Sequence, residues 1–260
     1  MNVMTKEELI AKLQYARSLG WVANTRPGNA GGVGNTLEDL TGLPENNLPL
    51  PNSGEWELKA RREGSTSLMT LFHVEPSPRA LNLVPSTLLP NYGWPHQQAG
   101  VRYPMTELSF RQTIHACARS DRGFGVTVDH KTQRVLVSFD ASSVSKRHSD
   151  WLASVATKTG LSEISPQPYW GFDELEHTAG AKLNRCAYVL AAVKREQGRE
   201  FFWFQRILMM AGFSFSGLLN ALETGNLCVD FDARTGHNHG TKFRLRERAR
   251  PMLYSSITEV

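Results

Sequence analysis

The sequence predicts a mixed α/β (α+β) protein built around a central mixed sheet. Segments with helical spacing of apolar residues alternate with short β-branched and aromatic runs, and no internal repeat appears. Size sets the limit: 260 residues at 40% hydrophobic and 21% charged bury a real core, as one large domain or two small ones.

The elements follow in order. Thr5 with Glu8 makes a capping box, and Leu9, Ile10, Leu13 and Ala16 form a helical stripe ending near Gly20. A Gly/Asn-rich loop from Gly28 to Gly34 leads into a short helix from Asn35 to Leu40, and Pro44 to Gly54 is turn-rich. Strands are expected at Glu55–Arg61 and Leu68–Val74, joined by the Arg62-Glu63-Gly64-Ser65 turn. Six prolines from Pro76 to Pro104, with little periodicity, predict a surface or binding loop. Strand signals return at Phe110–Ala116, Gly125–Asp129 and Arg134–Phe139, with Asp129-His130-Lys131-Thr132 as a hairpin turn. Helices are expected at Ser145–Thr157 and Asp173–Ala181, then strands at Arg185–Lys194 and Phe201–Arg206 around Gln197-Gly198. A helix at Phe215–Glu223 and strands at Leu227–Phe231 and Thr241–Leu245 complete the chain.

The formal charge of +4 and pI near 9.0 lean towards an anionic partner. Lys242, Arg244, Arg246, Arg248 and Arg250 crowd one region, and Arg111, Arg119 and Arg122 mark a second basic zone. Cys117, Cys186 and Cys228 lack metal-site spacing and read as reduced thiols of an intracellular protein. The first residues lack an apolar signal core and no run approaches a membrane span, so a soluble, cytoplasmic protein without a membrane partner is expected.

Several segments invite chemistry. The Gly-rich run from Asn29 to Thr36 fails as a phosphate loop, because Asn29 stands for its first glycine and Asn35 for its lysine. In an extended strand, Glu55, Glu57 and Lys59 share one face while Trp56 and Leu58 take the other. Two carboxylates and an ammonium side by side suit a Mg²⁺ ion and an activated water beside a phosphate. Such a face is often only solvated surface, but here Pro51-Asn52 lies just upstream and Glu38 sits on the preceding helix. Asn52 occupies a place where such centres hold an aspartate. His237-Asn238-His239-Gly240 has no third ligand for zinc; beside Lys242 and Arg244 it instead resembles a set of donors and acceptors for base edges. His73 closes an apolar strand, and Phe201-Phe202-Trp203-Phe204 is assigned to the core.

Together, Gly34 to Leu40, Glu45-Asn46-Asn47-Leu48, Glu55 to Lys59, Leu68 to His73, and His237 to Arg244 resemble the MvaI/BcnI family of type II restriction endonucleases, which is related to the mismatch-repair nicking endonuclease MutH. The resemblance implies a PD-(D/E)xK fold: a single nuclease domain over 1–260 with helices flanking a mixed sheet and two lobes around a cleft. The catalytic lobe would come mainly from 1–75 plus middle strands, and the recognition lobe would include 210–250. It implies Mg²⁺-dependent hydrolysis of double-stranded DNA at a short GC-rich, near-palindromic site, by a monomer with a DNA methyltransferase encoded nearby. Carried over by position, Glu57, Asn52 and Glu55 would be metal ligands, Lys59 would orient the attacking water, and Glu38 would stand close to the catalytic group. His73 would read the central base pair from the minor groove. His237, Asn238, His239, Lys242 and Arg244 would read the major groove, with Asn238 where close relatives have aspartate. Two alternatives stay open: a MutH-like nickase, and a sequence-specific DNA-binding relative whose cleavage is impaired by Asn52.

Overall fold

Residues 4–28, 31–43 and 55–260 are described by the structure, a computed structural model. The chain runs α1 (Lys6–Ser18), β1 (Val22–Ala23), α2 (Gly32–Thr41), β2 (Glu57–Arg62), β3 (Met69–His73), α3 (Leu89–Tyr92) and β4 (Trp94–Pro95). It continues as β5 (Leu108–Ile114), β6 (Arg122–Asp129), β7 (Arg134–Val144), α4 (Ser149–Thr159), β8 (Tyr169–Gly171), α5 (Phe172–Leu183) and β9 (Arg185–Glu196). Then come β10 (Arg199–Phe213), α6 (Phe215–Glu223), β11 (Leu227–Arg234), β12 (His237–Asn238), β13 (Lys242–Leu245) and β14 (Tyr254–Glu259).

These elements form two units. The first comprises Met1–Ser67, Ala179–Phe215 and Pro251–Val260. Its sheet has the order β1-β10-β9-β2, with β14 also on β10. β2 runs parallel to β9 and the other pairs are antiparallel, which makes the sheet mixed, as the sequence predicts. Leu9 and Leu13 of α1 and Leu37 of α2 pack with Trp56, Leu58, Val189, Phe202 and Phe204. The capping box closes as expected: Thr5 N–H donates to Glu8 Oε2 at 2.8 Å and Glu8 N–H to Thr5 Oγ1 at 3.2 Å. The Gly-rich run serves α2, whose Gly32 lies so near Asn24 that a Cβ there would meet its Nδ2 at 2.8 Å. Phe202 and Phe204 are fully buried, and Trp203 donates its indole N–H to the Arg17 carbonyl at 3.2 Å.

The second unit comprises Leu68–Thr178 and Ser216–Arg250. It holds a sheet of order β3-β13-β11-β5-β4, with β12 also on β11, and a smaller sheet β6-β7-β8. Phe243 stacks on Phe72 at 4.9 Å, and Phe110 meets Phe124 and Phe231 edge-on. The proline-rich stretch departs from the expected surface loop. A π-helical turn at Val84–Leu88 runs into α3, and Leu83, Val84, Leu88, Leu89 and Tyr92 are buried. Pro85 sits in the first turn of this helical run, where a missing N–H sacrifices no hydrogen bond, and Pro90 lies where the π-helical turn passes into α3. The prolines there mark helix starts. β1, β4, β8 and β14 escape sequence reading because they are short or, like β14, mostly exposed.

No helix among the described residues is long and apolar enough to cross a membrane. The three cysteines form no disulfide, with Cys186 and Cys228 buried and Cys117 exposed. Leu37, fully buried, fastens α2 to the core that holds Leu58 of β2. Leu37→Ala is expected to cost about 2–5 kcal/mol by the lost transfer energy and the cavity left behind. A urea midpoint unchanged from that of the parent protein would refute this packing.

Candidate functional site

β2 is an edge strand paired on one side with β9. Leu58 points into the helix-covered core, so strand alternation turns Glu57, Lys59 and Arg61 to the opposite face. Glu57 is only 4% exposed. Its Oε1 accepts a hydrogen bond from Lys59 Nζ at 3.0 Å, and Lys182 Nζ lies 3.2 Å from Oε2. The topology accounts for the second lysine. The parallel register sets Glu57 beside Cys186, while only Asn184 separates α5 from β9. Ala179 and Leu183 are fully buried and seat the last turn of α5, which brings Lys182 to the carboxylate. Lys182 meets Oε2 as an ion pair, and among the described residues this buried oxygen accepts no hydrogen bond. Arg61, further along the same face, binds Ser65 O at 2.9 Å and Ser67 O, and so closes the turn that leaves β2.

The other predicted members of this centre lie as follows. Glu55 is exposed and ion-paired with Arg185. Glu38 is half-buried on α2, which packs over β2. Asn52 lies outside the described residues. Among the described residues, no group of three or more His, Cys, Asp or Glu side chains is arranged to hold a metal.

The second predicted set lies in the second unit: by register His73, His237, Lys242 and Arg244 share the face of Asp230 and Asp232, while Asn238, opposite the buried Ala233, lies on the other side. His73 of β3 is the cross-strand partner of Lys242 on β13, and Lys242 in turn faces Asp230 on β11. The two basic residues are each held by a carboxylate of β11: Lys242 Nζ donates to Asp232 at 3.2 Å and Arg244 to Asp230 at 3.2 Å. Asp230 also accepts from Thr113 Oγ1 at 2.7 Å, and Asp232 lies 3.5 Å from the exposed Arg111. His237 and His239 are exposed, their rings 4.2 Å apart at 81°. The cross-strand pairing sets His73 and Lys242 side by side on one sheet face.

Sequence reasoning missed Lys182, Asp230, Asp232 and Glu75, the last of which accepts hydrogen bonds from Thr241 and Asn238. Lys182 gives no local signal, because only the fold brings it to Glu57. The aspartates did leave one: Val229-Asp230-Phe231-Asp232-Ala233-Arg234 alternates with the strand period. The basic zones also divide. Arg122 stacks over Trp94 at 3.9 Å, and burial lowers its pKa. Arg119 donates to Ser138 Oγ at 2.7 Å, and Arg248 to Asn226 at 3.4 Å. These arginines brace the fold.

An acid with a flanking E-x-K lysine on the edge of a mixed sheet, helices against that sheet, and a second unit whose named strands pair antiparallel define a restriction-endonuclease-like α+β fold. The complex of the restriction endonuclease MvaI with its cognate DNA substrate shares that fold. It matches with a TM-score of 0.76 at 22% identity, over 98% of this chain and 99% of that one. MvaI in the absence of DNA matches with a TM-score of 0.56 at 22% identity, over 100% of both chains. No curated protein matches. The model of the MvaI/BcnI restriction endonuclease family matches residues 10–254, and the chain belongs to that family.

Removing Lys182 leaves a buried carboxylate with half of its counter-charge. Lys182→Met is expected to destabilise the protein by about 1–3 kcal/mol, less than the loss of a sole buried partner because Lys59 remains. Adding Glu57→Gln is expected to recover most of that loss in a double-mutant cycle. Strictly additive denaturation energies would show that the two side chains do not interact.

Proposed function

We propose that the chain is a type II restriction endonuclease that hydrolyses double-stranded DNA at a short, GC-rich, near-palindromic site with Mg²⁺. The observation that carries this reading is the buried Glu57 carboxylate between two ammonium groups, in a chain of this family. A hard divalent cation fits the chemistry of this donor set, since Glu57 Oε2 is a buried anionic oxygen that accepts no hydrogen bond from the described residues. Glu57 would hold the ion with oxygens from Asn52 and Glu55, and Glu38 would add a nearby carboxylate. The exposed Glu55–Arg185 pair is worth about 0–1 kcal/mol, so little opposes the release of Glu55. When bound, the ion draws charge from the phosphate and lowers the pKa of a bound water.

The chain's own groups have separate tasks. Lys59 has three donors and places one on Glu57, which leaves others to orient water at the phosphorus and offset transition-state charge. Lys182 holds the second oxygen of Glu57 and so fixes the plane of the carboxylate. Water attacks phosphorus and the 3′-oxygen leaves. His73, His237, Asn238, His239, Lys242 and Arg244 form the base-reading set, where Lys and Arg suit guanine O6 and N7. The likeness to an MvaI complex with cognate DNA supports a duplex partner. A monomer acts on the two strands in turn, and a DNA methyltransferase encoded nearby would protect the host.

Asn52 favours a second reading, in which binding persists and cleavage is slow. An amide at that position removes one anionic oxygen from the ion's shell. The expected result is discrete plasmid fragments with Mg²⁺, none with EDTA, and at least about tenfold faster cleavage by Asn52→Asp. Lys59→Ala is expected to cut the rate by about 10²–10⁴ while leaving duplex binding in EDTA unchanged. Nicked circles alone would indicate a MutH-like nickase. No cleavage by either the parent or Asn52→Asp would leave only the binding reading.

A further inference from the structure

Glu75 lies two residues beyond β3 and reaches the segment between β12 and β13. Its Oε1 accepts from Thr241 N–H at 2.8 Å and from Asn238 Nδ2 at 3.4 Å, and its Oε2 accepts from Thr241 Oγ1 at 3.2 Å. Asn238 Oδ1 accepts from Gly240 N–H at 3.0 Å. Gly240 adopts φ +81°, and a Cβ there would lie 3.5 Å from His73 Cδ2 and 3.6 Å from Glu75 Oε1. His73, Glu75 and the 238–241 turn therefore form one packed group. Val74 N–H donating to Thr241 O at 3.0 Å adds a backbone tie.

The polarity of the Asn238 carboxamide follows from its partners. A backbone N–H donates to one end, so that end is oxygen; a carboxylate accepts from the other, so that end is NH₂. Reversal would place oxygen against the Glu75 carboxylate and NH₂ against the Gly240 donor, losing both bonds.

We propose that Glu75 is a specificity-determining positioning residue that holds the Asn238 carboxamide in one orientation and excludes a carboxylate at position 238. The inference rests on the reading of the 237–245 segment as a base-reading surface. With the amide so held, one N–H of Asn238 is left for an acceptor on a base edge, such as guanine O6 or N7, adenine N7 or thymine O4. An aspartate there would bring two carboxylates together and supply no donor.

The test selects bound molecules from a random-sequence duplex library in EDTA with the parent protein, Asn238→Asp, Glu75→Gln, the double variant and Thr241→Val. The parent is expected to enrich one sequence. Asn238→Asp is expected to bind that sequence about 10- to 100-fold more weakly, the discrimination of one base contact. The double variant is expected to bind at least tenfold more tightly than Asn238→Asp and to prefer a donor-bearing base, cytosine or adenine, at one position. Thr241→Val removes a different bond to Glu75 and is expected to keep the parent's preference. Thermal melts identify any variant that has unfolded. Equal weakening by Asn238→Asp whether Glu75 is kept or carries the Glu75→Gln exchange would overturn the proposal. So would loss of preference in a folded Thr241→Val, which would reduce Glu75 to a loop anchor. If the parent enriches no sequence, the base-reading surface itself is refuted and the role of Glu75 falls with it.

Discussion

One buried negative charge organises the first unit. A carboxylate taken out of water costs several kcal/mol unless opposite charge and hydrogen bonds replace the solvent. Glu57 meets that demand from two directions: Lys59, which the strand period carries to the same face, and Lys182, from the helix that enters β9. The second source depends on β2 lying parallel to β9. An antiparallel β2 would put Glu57 at the far end of β9, away from α5. The direction of one edge strand therefore decides whether the acid is compensated.

The second unit applies the same rule with the signs exchanged. Here the basic side chains stand outward and the carboxylates of β11 hold them, Asp232 under Lys242 and Arg244 against Asp230. These groups are partly exposed, at 13–29% for the four side chains, so their pairs are weaker than those at Glu57. Weak pairs suit a surface that must change partners. They hold a long side chain in one rotamer and release it at little cost when a base edge or phosphate competes. A buried pair like that at Glu57 suits a group that must stay in place.

What the sequence made legible was local. The capping box of Thr5 and Glu8 and the face shared by Glu57 and Lys59 depend on spacings of two or three residues, and they appear in the structure. Pro76 to Pro104 misled because proline signals both loops and helix starts, and only the burial of Leu83, Leu88 and Tyr92 separates the two. Lys182 and Glu75 were out of reach for another reason. Each acts on a residue distant in the chain, across a pairing that no single-sequence pattern specifies.

Net charge was the least informative guide. A value of +4 suggests a basic surface, yet several arginines are committed to partners within the fold. Arg122 lies against Trp94, Arg61 closes the turn after β2, and Arg62 pairs with Glu200 at 2.8 Å. What remains near the β11 carboxylates is a short row: Arg111, Lys242 and Arg244, with His73 beside it. A diffuse basic patch binds any duplex through its phosphates and carries no sequence information. The base-reading role proposed for this surface would rest instead on a few cations held in fixed positions by carboxylates, a pattern of donors that only some base edges match. Discrimination on such a surface depends on the acids as much as on the bases, because the acids decide where each donor points.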